Sequence, residues 1–168
     1  NKAIQTDFVI RQSFLQFEEF EQATHGWDLD FIQLAPAPGD YLLEQFAAGP
    51  MLYSRARFGA PFHQHGGSPP GYRTFTFLAS GSAEFRWCKD LIGSDTMLVM
   101  PESGEFESVS SAGLDTFHLS LSFELLEWAS QQQLGRSYGE LLGPERRLFR
   151  HAGVWLVRLR YLLQQISA

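Results

Sequence analysis

Between residues 40 and 121 the chain is a succession of short runs of alternating apolar and polar residues, each cut off by turn-forming residues. That rhythm admits little besides an antiparallel barrel or sandwich. Seven runs are readable, over residues 41–48, 51–58, 72–80, 83–87, 96–100, 106–109 and 115–121. Gly49-Pro50 makes a hairpin-like break and Ser80-Gly81-Ser82 another. Phe is the unusual component, at 15 of 168 residues, and it suits a pleated interior while leaving apolar material for a pocket. Strict alternation puts Phe75 and Phe77 on one face and Phe117, Leu119 and Leu121 on one face. These residues are assigned to the barrel interior. His118 alternates against them and is assigned to the outside.

The flanks have a different period. Near the start, Phe14, Leu15, Phe17, Phe20 and Ala23 recur at three- and four-residue steps behind Ser13, which predicts a short helix ending by Gly26 and laid over one end of the barrel. Residues 27–34 then alternate, with Trp27, Leu29 and Phe31 on one side, before Pro36, Pro38 and Gly39 break the run. After Leu121 the spacing turns helical. Ser122 is placed to cap a helix carrying Leu125, Leu126 and Ala129, with Gly135 after its stop. A second helix is predicted from Pro144, with an apolar stripe through Leu148, Ala152, Trp155, Leu156, Leu159, Leu162, Leu163 and Ile166. Gly153 inside that helix costs roughly 1 kcal/mol relative to Ala, so packing must hold it. The stripe has two uses open to it: covering the barrel of its own chain, or meeting the same helix of a second subunit. The pattern runs to Ile166-Ser167-Ala168 without a capping Gly or Pro, and the opening Asn1 is not Met; both are read as cuts in a longer chain.

A chain of 168 residues suits one domain, able to bury roughly 70% of its unfolded surface. The division expected is a barrel with its short helix over residues 1–121 and a helical region over 122–168 packed on it. Net charge is -6, which argues against this segment wrapping nucleic acid. Residues 1–134 hold 7 Lys and Arg against 17 Asp and Glu, whereas residues 135–168 hold 6 Arg against Glu140 and Glu145. The two regions therefore face different surroundings. Cys88 is the single cysteine, and no signal peptide or long apolar run is present, so the expected compartment is the cytoplasm, without a membrane partner.

His63-Gln64-His65 is the sharpest chemical motif. A His-x-His pair with a carboxylate a few residues on and a further His from a later strand would suit iron, zinc or manganese. Here Gly-Gly-Ser-Pro-Pro-Gly follows, the next carboxylate is Glu84, and Glu107 stands where the later His is needed. No cofactor is therefore expected, and a small metal-dependent cupin enzyme using His63 and His65 is kept as the alternative. Cys88 has no neighbouring His to activate it and is read as a small buried residue beside Trp87. In the loop 66–71, Pro69 and Pro70 remove amides that phosphate binding would need. A non-catalytic pocket fits better, with aromatic walls and polar tips from Tyr53, Arg57, His63, Arg73 and Trp87 as candidate ligand-binding residues.

The order of features carries a resemblance. Ser13-Phe-Leu-Gln-Phe-Glu-Glu-Phe-Glu-Gln-Ala23, then residues 27–34 and Pro38-Gly39, then Leu52-Tyr-Ser-Arg-Ala-Arg57 resemble the N-terminal domain of AraC-type (AraC/XylS) bacterial transcriptional regulators. Pro101-Glu-Ser-Gly-Glu105 and Leu119-Ser-Leu-Ser-Phe-Glu-Leu-Leu126 extend the likeness over roughly residues 13 to 130. The resemblance implies a mainly β, cupin-like (double-stranded β-helix) barrel that senses a small-molecule effector, followed by two or more helices used for homodimerisation. It implies no catalysis, and DNA binding only through a C-terminal domain outside this chain. The helical stripe nominates Leu148, Trp155, Leu159, Leu162 and Leu163 for the dimer contact.

Overall fold

The computed structural model describes residues 7–166 apart from Pro38 and Ser82. The turns read at Pro38 and Ser82, and the chain ends at Asn1 and at Ser167 and Ala168, lie outside the described residues. In chain order the elements begin with β1 (Phe8–Phe14), α1 (Phe17–Ala23), β2 (Asp28–Gln33), β3 (Tyr41–Ala48) and β4 (Met51–Phe58). There follow β5 (Phe62–Gly67), β6 (Tyr72–Leu78), β7 (Phe85–Trp87), β8 (Asp90–Leu91), β9 (Met97–Val99), β10 (Phe106–Ser110) and β11 (Leu114–Ser122). The chain closes with α2 (Phe123–Leu134), α3 (Tyr138–Leu142), β12 (Arg147–Phe149) and α4 (Gly153–Ile166).

The strands form two antiparallel sheets. The larger has the order β1-β3-β4-β11-β6-β9-β12 and the smaller β2-β5-β10-β7-β8. Between them lies an aromatic core that includes Phe20, Tyr41, Phe58, Phe62, Phe85 and Phe106. A second, smaller core lies on the other side of the larger sheet, where Tyr53, Phe77 and Phe117 pack against Leu156 and Leu163 of α4. The larger sheet is thus covered on both faces, by the barrel interior and by its own C-terminal helix.

That double coverage reverses one expectation. Phe77 and Phe117 sit in the outer core beneath α4, while Leu78 and Leu114 belong to the inner one. In β11 the inward residues are Leu114, Thr116 and His118, so His118 faces the interior rather than solvent, and Phe117, Leu119 and Leu121 fall on the face assigned to α4. A one-residue change in phase moves every side chain of a strand to the opposite face, and here both faces are apolar enough to accept Phe.

Two boundaries also differ. Phe14 ends β1, an edge strand paired with β3 through Phe14↔Tyr41, so the N-terminal helix is shorter than its Phe spacing predicts and is entered through Gln16. The stripe from Pro144 is not one helix. Leu148 lies in β12, paired with Leu98 of β9 and packed on the inner core, and α4 starts at Gly153 after His151 takes φ 61°. Gly153 is therefore the first residue of a helix and imposes no mid-helix cost. The caps on α2 are as predicted: the Ser122 hydroxyl accepts from the Leu125 amide at 3.2 Å, and Gly135 closes the helix at φ 65°. No helix among the described residues is long and apolar enough to cross a membrane.

A neutral cavity inside the barrel

A narrow cleft runs between the two sheets, enclosing a cavity of about 40 Å³ within a wider space that is partly open to solvent. Its walls are rich in rings, among them Phe20, Trp27, Phe31, Phe58, Trp87 and Phe106. Trp87 and Phe106 stack with centroids 5.6 Å apart, and Trp27 meets the His118 ring edge-on at 5.1 Å. The alternation expected of residues 27–34 holds, since Trp27, Leu29 and Phe31 all line the cavity.

The floor is polar and comes from adjacent strands of the larger sheet. Ser54 of β4, Thr116 and His118 of β11 and Gln45 of β3 face the cavity, and each hydrogen-bonds to another group of the protein. The Gln45 amide donates to the Ser54 hydroxyl at 2.9 Å and to the His25 carbonyl at 3.1 Å, and accepts from the His25 amide at 3.0 Å. That pair of backbone bonds ties the connection between α1 and β2 across one end of the barrel. His118 has a Thr hydroxyl on each ring nitrogen, Thr76 at 2.9 Å from Nδ1 and Thr116 at 3.0 Å from Nε2. Thr116 also donates to the Ala56 carbonyl at 3.4 Å, which leaves its hydroxyl oxygen to accept from Nε2–H. Nδ1 then accepts from Thr76, and the ring is a neutral imidazole. Burial agrees, pushing the His118 pKa down from 6.5 to about 4.

Of the five residues read as pocket tips, the structure puts Trp87 in the cavity wall and the others elsewhere. Tyr53 points the other way on β4, into the core under α4. Arg57, on the same outward face, pairs with Asp40 at 2.9 Å. Arg73 is fully buried at the base of the helical region, where its guanidinium donates to the Pro144 and Glu145 carbonyls at 3.2 and 2.6 Å and pairs with Glu102 at 3.4 Å. Glu102 also accepts from the Tyr138 hydroxyl, and burial together with this carboxylate pushes the Tyr138 pKa up to about 12. His63 lies on the outer face of the smaller sheet, its Nε2 2.6 Å from Glu107.

His65 shares that outer face, 3.3 Å from Glu105, because residues two apart on a strand point the same way. It is the middle residue of the motif, Gln64, that turns into the cavity. Among the described residues no group of three or more His, Cys, Asp or Glu is placed to hold a metal ion. Sequence reasoning missed Gln45, Ser54, Gln64, Thr116 and His118. The available signal was their even spacing, two or four residues along the strand, from Leu43, Phe58, Phe62 and Leu114, all of them buried in the inner core. Cys88, expected to be buried, is exposed and holds φ 55° in the turn after β7.

No protein-family model matches this sequence, and no curated protein matches it. Solved structures do share its architecture. The AraC-like transcriptional activator CuxR superposes with a TM-score of 0.61 at 13% identity, over 96% of this chain and 60% of that one. Oxalate decarboxylase from Bacillus subtilis aligns over 89% of this chain and 43% of that one, at 15% identity and a TM-score of 0.38. The chain thus spans about 60% of the length of CuxR. At such identity the likeness to CuxR speaks for the fold alone, a cupin-like β barrel followed by helices.

Proposed function

We propose that this chain is the effector-sensing and dimerisation portion of an AraC-type transcriptional regulator, without catalysis of its own, and that DNA is bound by a domain outside it. The observation that carries this reading is the double duty of the larger sheet. On β4, β6 and β11 the residues facing the cavity floor, Ser54, Thr76 and His118, alternate with those that seat α4, Tyr53, Phe77 and Phe117. A molecule that reorders the floor acts on strands that also hold the helix, and it shifts the equilibrium by as much as its affinity differs between the two helix positions.

The helix has the second half of the apparatus. Leu156 and Leu163 are spent on the barrel, with Leu159 packed beside them, while Trp155, Tyr161 and Leu162 stay exposed at 67%, 63% and 59%. A helix apolar on its free side calls for a further partner, and a second copy of α4 across a two-fold axis supplies one. Light scattering on the purified chain tests this. Trp155→Glu with Leu162→Glu is expected to convert a dimer to a monomer with the fold retained; a wild-type chain that stays monomeric at high concentration sinks the dimer. The metal-enzyme alternative loses support from geometry, because His63 and His65 face away from the cavity and toward Glu107 and Glu105.

A further inference from the structure

Among the described residues the cavity lining holds no Asp, Glu, Lys or Arg, and the one titratable group among them, His118, is held neutral by burial. The charged residues of the surrounding strands are turned outward, as Arg55 is, pairing with Asp115 at 2.8 Å on the helix side of the larger sheet. A charged molecule entering this space would lose hydration and meet no counter-charge. A polyol would fare poorly as well, since most of its hydroxyls would face Phe31, Trp87 and Phe106 without partners.

The polar groups of the lining fall into two classes. Gln45, Thr116 and His118 are engaged by the protein, as described above. Gln64 is not: among the described residues its side-chain amide makes no hydrogen bond, although it projects into the cavity from the middle of the smaller sheet, between Phe31 of β2 and Ser108 of β10. Trp87 adds an unpaired group of a different kind. Its ring lines the cavity and is 2% exposed, and its indole N–H is buried without a partner. Gln64 is half-buried, so its amide is open to pairing with whatever occupies the cavity, and polar groups converging on an apolar pocket are what orient a bound molecule.

We propose that the molecule this barrel senses is compact, uncharged and planar, and that it presents an adjacent donor and acceptor to the Gln64 amide. The proposal rests on the sensor reading above. A primary carboxamide is the natural complement of Gln64, since each amide offers one N–H and one C=O in the same plane. A flat ring behind it would stack among Trp27, Phe31, Trp87 and Phe106.

Three single-ring probes of nearly equal shape separate the possibilities: benzamide, benzoate and benzylammonium, with toluene as the apolar reference. Trp27 and Trp87 both line the cavity, so tryptophan fluorescence of the intact chain reads occupancy. At neutral pH benzamide is expected to quench saturably, to raise the melting temperature, and to bind at least about tenfold more tightly than either ion. Gln64→Leu is expected to weaken benzamide by about tenfold while leaving toluene unchanged. Either ion binding as tightly as benzamide overturns the uncharged class, as does a Gln64→Leu chain that holds benzamide as well as wild type. In both cases the barrel still binds a molecule and the sensor reading stands. If none of the four enters at millimolar concentration, the proposal falls, while the sensor and dimer reading is judged separately by the light-scattering experiment.

Discussion

His118 is a base held uncharged at the centre of the barrel by two Thr hydroxyls and by burial, and this has a readable pH consequence. Its pKa falls from 6.5 to about 4 on folding, so above 6.5 neither state binds the proton and its full contribution to stability is present. As pH drops from 6.5 toward 4 the unfolded chain takes up the proton first and stability declines, by up to roughly 3 kcal/mol; below 4 both states are charged and the loss stops. His118→Gln keeps polar atoms near both Thr partners and cannot titrate. Urea unfolding across this pH range is expected to give a wild-type curve that falls more steeply than the variant's. Parallel curves would show that His118 is not buried neutral. Arg73 is a residue of the other kind, a charge fully buried and answered by two carbonyls and Glu102. Removing it strands those acceptors, so Arg73→Ala is expected to cost about 3 kcal/mol or more in chemical denaturation, a loss that Arg73→Lys restores only in part.

At the scale of elements, α4 divides its residues between two surfaces. Leu156 has no exposure, and its truncation to Ala is expected to cost about 2–5 kcal/mol; Trp155→Ala, at 67% exposure, is expected to leave the stability of the monomer near wild type. Equal losses at the two positions would contradict the placement of the helix. The helix was legible as a stripe, but its start was not, because Leu148 keeps helical spacing by coincidence while pairing as a strand with Leu98. The strands 41–48 and 51–58 could be read to the residue because Gly49, at φ 54°, forces their hairpin. Which way the later strands faced could not. Alternation identifies the two faces of a strand and names the inner one only when the other is wet. In β10, where Phe106, Ser108 and Ser110 are buried and Glu107 and Val109 are open, the rule works. In β11, with Phe117 and Thr116 both buried, it gives no preference, and the bulky apolar set reads as the interior although it faces the helix. The site suffered for the same reason: its polar groups are small and neutral, whereas the residues singled out from the sequence were the large and charged ones.

At the scale of the whole molecule, several contacts tie the C-terminal region to the barrel, and three of them come from different elements. Arg73 holds the 144–145 segment, Arg160 donates to the Leu78 carbonyl at 2.7 Å, and β12 extends the larger sheet at β9. We therefore expect a chain ending at Ser122, stripped of the cover over Tyr53, Phe77 and Phe117, to expose an apolar face and to bind a hydrophobic dye or aggregate. If the shortened chain keeps the wild-type melting temperature and near-ultraviolet circular dichroism, the helix is an accessory and not part of the core. A sheet enclosed on both sides also has a consequence for sequence change. β10 and β2 each offer one open face on which substitutions can accumulate at every second position, but β11 has no exposed residue anywhere along its length. A saturation scan scored by soluble yield should show stripes across the smaller sheet and an unbroken block over β11, where each residue answers to the cavity or to the helix and none is free to drift.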